Sequence, residues 1–228
     1  MNARQLFASL CLPIVTACAQ MSPDATPKPD GFWFIFLETG KKTPGDKALV
    51  SKMQQGHIEN FKRLFGEQKL FAAGPLQDPG GNKRGIVLVK APSKEVLTTY
   101  FQADEYVREG YMTLNAVPCL AHKALATEGI DPNAIEEVRI IQVLRSGEGS
   151  TRADANAKAD RTFLQSLIDK GTVGAWYEME NGPATDVLFS RTTDTKTLQD
   201  AFAPHPGMVA GRTSVVVWKQ WLSKGVVK

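Results

Sequence analysis

The chain is poor in cysteine and histidine, with only three of each in 228 residues. Cys11 and Cys18 fall within the first eighteen residues, which leaves Cys119 alone in the rest of the chain. No internal disulfide and no paired-cysteine metal site is therefore expected. Cys119 lies in the apolar segment NAVPCLAHKAL, where a lone thiol behaves as a small hydrophobe. His57, His122 and His205 are scattered and form no H-E-x-x-H pattern, so neither a metal nor a cofactor is expected. Charge of one sign is also lacking: 27 basic side chains face 24 acidic ones, without a basic stripe, which argues against nucleic acid as a partner. No apolar run approaches the roughly 20 residues of a membrane-spanning helix. G-x-S-x-G, Cys–His nucleophile and dinucleotide signatures are all missing. Gly80-Gly81 sits between two strand-like runs with no helix behind it, so it reads as a hairpin turn and not as a phosphate loop.

What is present begins with residues 1–18. A basic Arg4, an apolar stretch from Leu6 to Val15 and then small residues give the order of a secretory signal, and Pro13 would disturb any longer helix. Val15-Thr16-Ala17-Cys18 resembles a lipobox, after which Cys18 would carry lipid. Ala17-Cys18-Ala19 also fits ordinary cleavage before Gln20. The lipobox reading implies a membrane partner through Cys18, and Ala19 in place of Asp implies outer-membrane sorting. The expected location is thus exported, either periplasmic or anchored to the outer membrane. Residues 19–30, with Pro23, Pro27 and Pro29 among polar residues, read as an extended tether of about 3.1 Å per residue.

The remaining residues carry one pattern twice. In the first pass, 31–38 is a buried strand, 46–68 has helical apolar spacing, and LFAAGPL and RGIVLVKA flank the turn DPGGNK. Ser93 caps a short helix ending near Phe101, and TLNAVPCLAHKA closes the unit as a strand. A linker, 126–136, separates units at 31–125 and 137–228. In the second pass, 137–145 is a strand, 153–170 a helix, TVGAWYEM and DVLFSRTT flank Asn181-Gly182-Pro183, 195–202 is a helix, and TSVVVWKQWL ends the unit. Leu64 aligns with Leu167, Phe101 with Phe202 and Gly110 with Gly211. The expected class is α+β: two tandem ferredoxin-like β-α-β-β-α-β units. Each sheet would carry helices on one face only, so two units would pack as a dimeric α/β barrel-like pseudo-dimer, able to remain monomeric through that internal pairing.

Four motifs of the first unit occur in order: helical Gly56-His57, strand-borne Ala73-Gly74-Pro75-Leu76, the turn with Asp78, Gly80 and Gly81, and Ala103-Asp104-Glu105-Tyr106-Val107 followed by Gly110. Over residues 31–122 this resembles the YCII-related family, with Glu105 standing where that family usually has proline. The resemblance implies a His–Asp active site, which by motif falls on His57 and Asp104.

The residues permit that role. Met53, His57, Phe61 and Leu64 share one helical face, so His57 points toward the sheet, where a carboxylate partner would fix its tautomer. The plain alternatives are that His57 is a satisfied core histidine and that Asp104 merely caps the turn 105–109. In the second unit the places of His57 and Asp104 are taken by Asp160 and His205, a swapped pair followed by Pro206-Gly207. That pair is either a second site or part of a half that has drifted to a structural role, with Asp160 facing solvent. His122, near a strand end beside Lys123, is expected at the surface. The expected function is small-molecule binding at His57 with acid–base catalysis of elimination, isomerisation or lactone chemistry. The alternative is a ligand-binding or structural envelope protein without turnover.

Overall fold

Four consecutive residues of the first strand, Phe34, Ile35, Phe36 and Leu37, are all buried. Successive strand side chains point to opposite faces, so such a strand needs cover on both. The computed structural model describes residues 31–146 and 154–228 and shows how each face is covered. Phe34 and Phe36 turn inward to a core shared by both units, while Ile35 and Leu37 turn outward beneath helices.

The first unit runs β1 (Gly31–Thr39), α1 (Lys47–Gly66), β2 (Leu70–Gln77), β3 (Lys83–Ala91), α2 (Lys94–Thr99), α3 (Glu105–Arg108) and β4 (Met112–Lys123). The second repeats that order as β5 (Asp131–Arg145), α4 (Asp154–Asp169), β6 (Ala175–Met179), β7 (Ala184–Ser190), α5 (Thr195–Phe202), α6 (Pro206–Val209) and β8 (Thr213–Lys224). The expected α+β pair of ferredoxin-like units is present, and the two sheets do more than face each other. They join edge to edge into one closed antiparallel barrel of order β1-β3-β2-β8-β5-β7-β6-β4. The β2–β8 and β4–β6 pairings are the two seams. Closure leaves no open strand edge.

The barrel interior draws on every strand of both units. Across it, the Phe34 ring meets Tyr177 and Phe189 at centroid distances of 6.2 Å each. Two outer cores complete the layers, one beneath α1, α2 and α3 and one beneath α4, α5 and α6. The aligned pairs behave alike: Leu64 and Leu167 are buried, as are Phe101 and Phe202. Gly110 and Gly211 both take positive φ, 76° and 68°, where a Cβ would strain the turn into the last strand of each unit.

Three boundaries differ from the sequence reading. β5 begins at Asp131, not 137, because the connecting segment pairs early with β8 across an irregularity between Asp131 and Ile135. The turns after Asp104 and His205 close into the short helices α3 and α6. Ser93 does cap α2, its hydroxyl accepting from the backbone N–H of Val96 at 3.3 Å. The signal segment, Cys18 and the tether lie outside the described residues. Among those described, no helix is long and apolar enough to cross a membrane.

Candidate functional site

α1 starts where the Asp46 side chain accepts from Ala48 N and Leu49 N, and its buried face carries Met53, His57, Asn60 and Leu64. Phe61, expected on that face, is only partly buried. Asn60 is inside instead because it has work there: its Nδ2 donates to the Tyr100 carbonyl at the end of α2, at 3.1 Å. His57 packs against the Phe61 ring at 4.3 Å and meets the Tyr106 ring edge-on at 5.8 Å.

Asp104 is fully buried. Its Oδ2 lies 2.6 Å from His57 Nδ1, and its Oδ1 accepts from Tyr106 N at 3.0 Å. The two readings of this residue, partner of the histidine and helix cap, are satisfied together, one oxygen each. Glu105 occupies the first position of α3, as Pro206 does in α6. Proline fits there because its missing N–H would be unpaired anyway, and an acidic side chain suits a helix start equally well. The departure at Glu105 therefore leaves the local backbone intact. A carboxylate only accepts, so the ring meets it through Nδ1–H, and in the neutral ring the lone pair is then on Nε2.

His57 forms part of the wall of a cavity of about 380 Å³, together with Gln54, Phe61, Ala73, Gly85 and Arg84. The small residues make this space. Ile35 pairs with Val87 and Leu37 with Gly85, while Ala73 sits opposite Val87. In the second unit Ile141 pairs with Leu188 and Val143 with Asp186, while Trp176 sits opposite Leu188. Trp176 and Asp186 thus stand where the first unit has Ala73 and Gly85, and the indole N–H donates to Asp186 Oδ1 at 2.9 Å. The A-G-P-L glycine has another reason: a Cβ on Gly74 would overlap the carbonyl oxygen of Trp221 across the β2–β8 seam.

The structure brings the swapped pair together but organises it differently. His205 Nδ1 accepts from Gly207 N at 3.1 Å, so the ring itself caps α6. Asp160 Oδ1 lies 3.9 Å from that same Nδ1 and 3.9 Å from Arg212, beyond hydrogen-bond reach of either. Asp160 is 3% exposed, which corrects the reading that it faces solvent; it sits on the inner face of α4 beside the capped ring. A polar recess of about 450 Å³ does open beside α4, lined by Ala157, Arg161, Glu178 and Thr185 among others, but neither Asp160 nor His205 lines it.

Sequence reasoning missed the cluster at that recess. Glu178 accepts from Arg161 Nη2 and Nε at 2.6 and 2.8 Å and lies 2.8 Å from His122 Nε2, and the His122 ring stacks on Trp176 at 3.8 Å. His122 is at the surface as expected, yet tied to two residues of the other unit, Glu178 and Trp176. Arg84 was missed too, for an arginine at the start of a strand gives no signal. Among the described residues no group of three His, Cys, Asp or Glu side chains is gathered as for a metal ion.

No family model and no curated protein matches the chain, so its likeness to YCII-related proteins rests on the motifs alone. Solved structures match at low identity over most of its length. A proposed monooxygenase of Fusobacterium nucleatum subsp. nucleatum superposes with TM-score 0.54 and 9% identity, covering 87% of this chain and 96% of the other. A proposed monooxygenase of Lactobacillus acidophilus gives 0.50 and 11%, covering 87% and 99%. A chlorite dismutase mutant of Candidatus Nitrospira defluvii gives 0.50 and 11%, covering 85% and 92%. At such identities the likeness establishes the shared α+β barrel fold and carries no chemistry.

Proposed function

We propose that the protein binds a small molecule in the first unit and acts on it by acid–base catalysis, with His57 as the base and Asp104 as the residue that positions it. The observation that carries this reading is the 2.6 Å contact between two buried side chains, one of which lines a cavity of ligand size. His57 Nε2 would take a proton from the bound substrate, and the Asp104 carboxylate would stabilise the resulting imidazolium. The proton then returns at another atom in an isomerisation, or leaves with the departing group in an elimination. The motif resemblance of residues 31–122 to YCII-related proteins supports the same pair. The second unit serves as the structural half: its His205 is spent on a cap and its inner space on Trp176.

Export belongs to this proposal and is supported by the order of charge, apolar run and small residues in 1–18. Metabolic labelling with a palmitate analogue tests the anchor, and an unlabelled mature chain beginning at Gln20 would refute it.

Catalysis is tested without knowing the product. Ligands found by thermal shift are incubated with the protein in deuterated water, and deuterium entry at their acidic C–H positions is read by NMR. Exchange with the wild type that disappears in a folded, ligand-binding His57→Asn supports the reading. Exchange that persists in His57→Asn overturns it, and saturable binding with no exchange or conversion in the wild type favours a binding protein without turnover.

A further inference from the structure

A second cavity of about 360 Å³ lies beside the first. Both are lined by Ile58, Phe61, Ala73, Gly74, Pro75 and Ile135, so the two spaces share one wall. The second adds Phe65, Phe71 and, from the other unit, Trp221 and Val226. Together they form a trough that starts at His57, runs under α1 along β2 and crosses the β2–β8 seam. Its rim is apolar and open: Ile58 is 42% exposed, Phe65 48% and Ile135 69%. Apolar surface gathered in one trough in this way marks a binding site, unlike the scattered exposed Leu49, Val96 and Val209.

Its charge has one sign. Neither lining contains an Asp or Glu; the charged residues are Arg84, in the same cavity as His57, and Lys62, in the neighbouring one. The corresponding recess of the second unit is the opposite in kind, with the Arg161–Glu178 ion pair and few apolar residues. An apolar trough with a cation beside its reactive end complements a molecule with an apolar body and an anionic group at one end.

We infer that the ligand of this site is a small amphipathic carboxylate, its anionic group held by Arg84 next to His57 and its aliphatic or aromatic body laid along Phe61, Phe71 and Trp221. The inference rests on placing the ligand site of the proposed function at His57. It adds that the second unit contributes to binding, through Trp221, although its own pair is not used.

Octanoate, octan-1-ol and octylammonium share one apolar body and differ only in the head. Their binding to the full chain can be followed by calorimetry, and by the ring resonances of isotopically labelled histidine, which report whether the ligand reaches His57. Octanoate is expected to bind saturably and to shift the His57 signals, with octan-1-ol about tenfold weaker, the range of one charge-assisted hydrogen bond. Arg84 is exposed, so Arg84→Gln leaves the fold intact; it should bring octanoate down to the level of octan-1-ol and leave octan-1-ol unchanged. Loss of octanoate binding in Arg84→Gln with retention in His57→Asn supports the ligand class even where no turnover is ever seen, which separates it from the catalytic reading. Equal binding of the three compounds, octanoate binding that ignores Arg84→Gln, or binding without a shift of the His57 resonances would each overturn it.

Discussion

Asp104 Oδ2 stands 2.6 Å from His57 Nδ1, and this contact links the middle of α1 to the first residue of the α3 turn, 47 positions away. Because the other carboxylate oxygen caps α3, the two roles can be separated by substitution. Asp104→Asn keeps an oxygen for Tyr106 N and the same volume, so it should cost about 1 kcal/mol while impairing His57. Asp104→Ala removes the cap and strands a buried imidazole, and should cost about 2–4 kcal/mol. Urea denaturation of the two variants gives the difference; equal losses would mean that the cap contributes nothing.

The β2–β8 seam offers a sharper stability test. Its paired residues, Leu76 with Gln220 and Gln77 with Lys219, leave Gly74 against the Trp221 carbonyl with no room for a Cβ. Gly85 is similarly close, its ideal Cβ 2.8 Å from the Gly74 oxygen. Gly74→Ala must push the seam apart and is expected to destabilise the fold by about 3 kcal/mol or more. Gly45→Ala, in open space on a loop, is the control and should be nearly silent. Thermal melts of both variants decide.

Much of this architecture was legible in the residues, and the reasons are local. The strand periodicity, the Gly110 and Gly211 turns and the Leu64 and Leu167 anchors each state a repeat, and one-faced helices demand a second sheet. A barrel-like pairing of the two units was therefore expected. The registers of its seams were not legible, since they depend on pairings between strands of different units and, at β2–β8, on the close approach of Gly74 to the Trp221 carbonyl. At the site, the pairing of His57 with Asp104 came from the motif resemblance. Helical spacing alone turns His57 inward, and the residues by themselves left Asp104 equally readable as the cap of its own turn. The contrast between units could not be read. It is carried by Ala73 and Gly85 against Trp176 and Asp186, which are unremarkable in sequence and meaningful only once the strand registers are known.

Cys119 gives a prediction about reactivity. It lies on β4 between Phe32 and Met179, and burial pushes its thiol up to about 12. A raised value keeps the protonated form across the physiological range, and the thiolate is the reactive species. The native protein should therefore resist a thiol reagent such as iodoacetamide from pH 7 to 9, and react at the rate of a free cysteine once unfolded in urea. Prompt labelling of the folded barrel would show that the β4–β6 seam opens.

Asp78 makes the β2–β3 hairpin sensitive to acid. Its Oδ1 accepts from Gly80 N at 2.8 Å, and its Oδ2 from Lys83 N at 2.9 Å and Asn82 N at 3.1 Å. Partial burial works to raise this carboxyl, but the backbone donors of Lys83, Gly80 and Asn82 outweigh it and hold it below the ordinary carboxylate value. A carboxyl lowered on folding binds fewer protons in the native state, so its stabilisation is complete above the unfolded value of 3.8 and fades as pH falls through the lower folded one. Asp78→Asn keeps one acceptor oxygen but removes the charge, and should cost about 1 kcal/mol at neutral pH. The measurement is the difference in unfolding free energy between wild type and Asp78→Asn as a function of pH. That difference should stay flat from pH 7 to pH 5 and shrink below pH 4; a gap that stays constant down to pH 2 would place the stabilisation in the turn geometry and not in the charge.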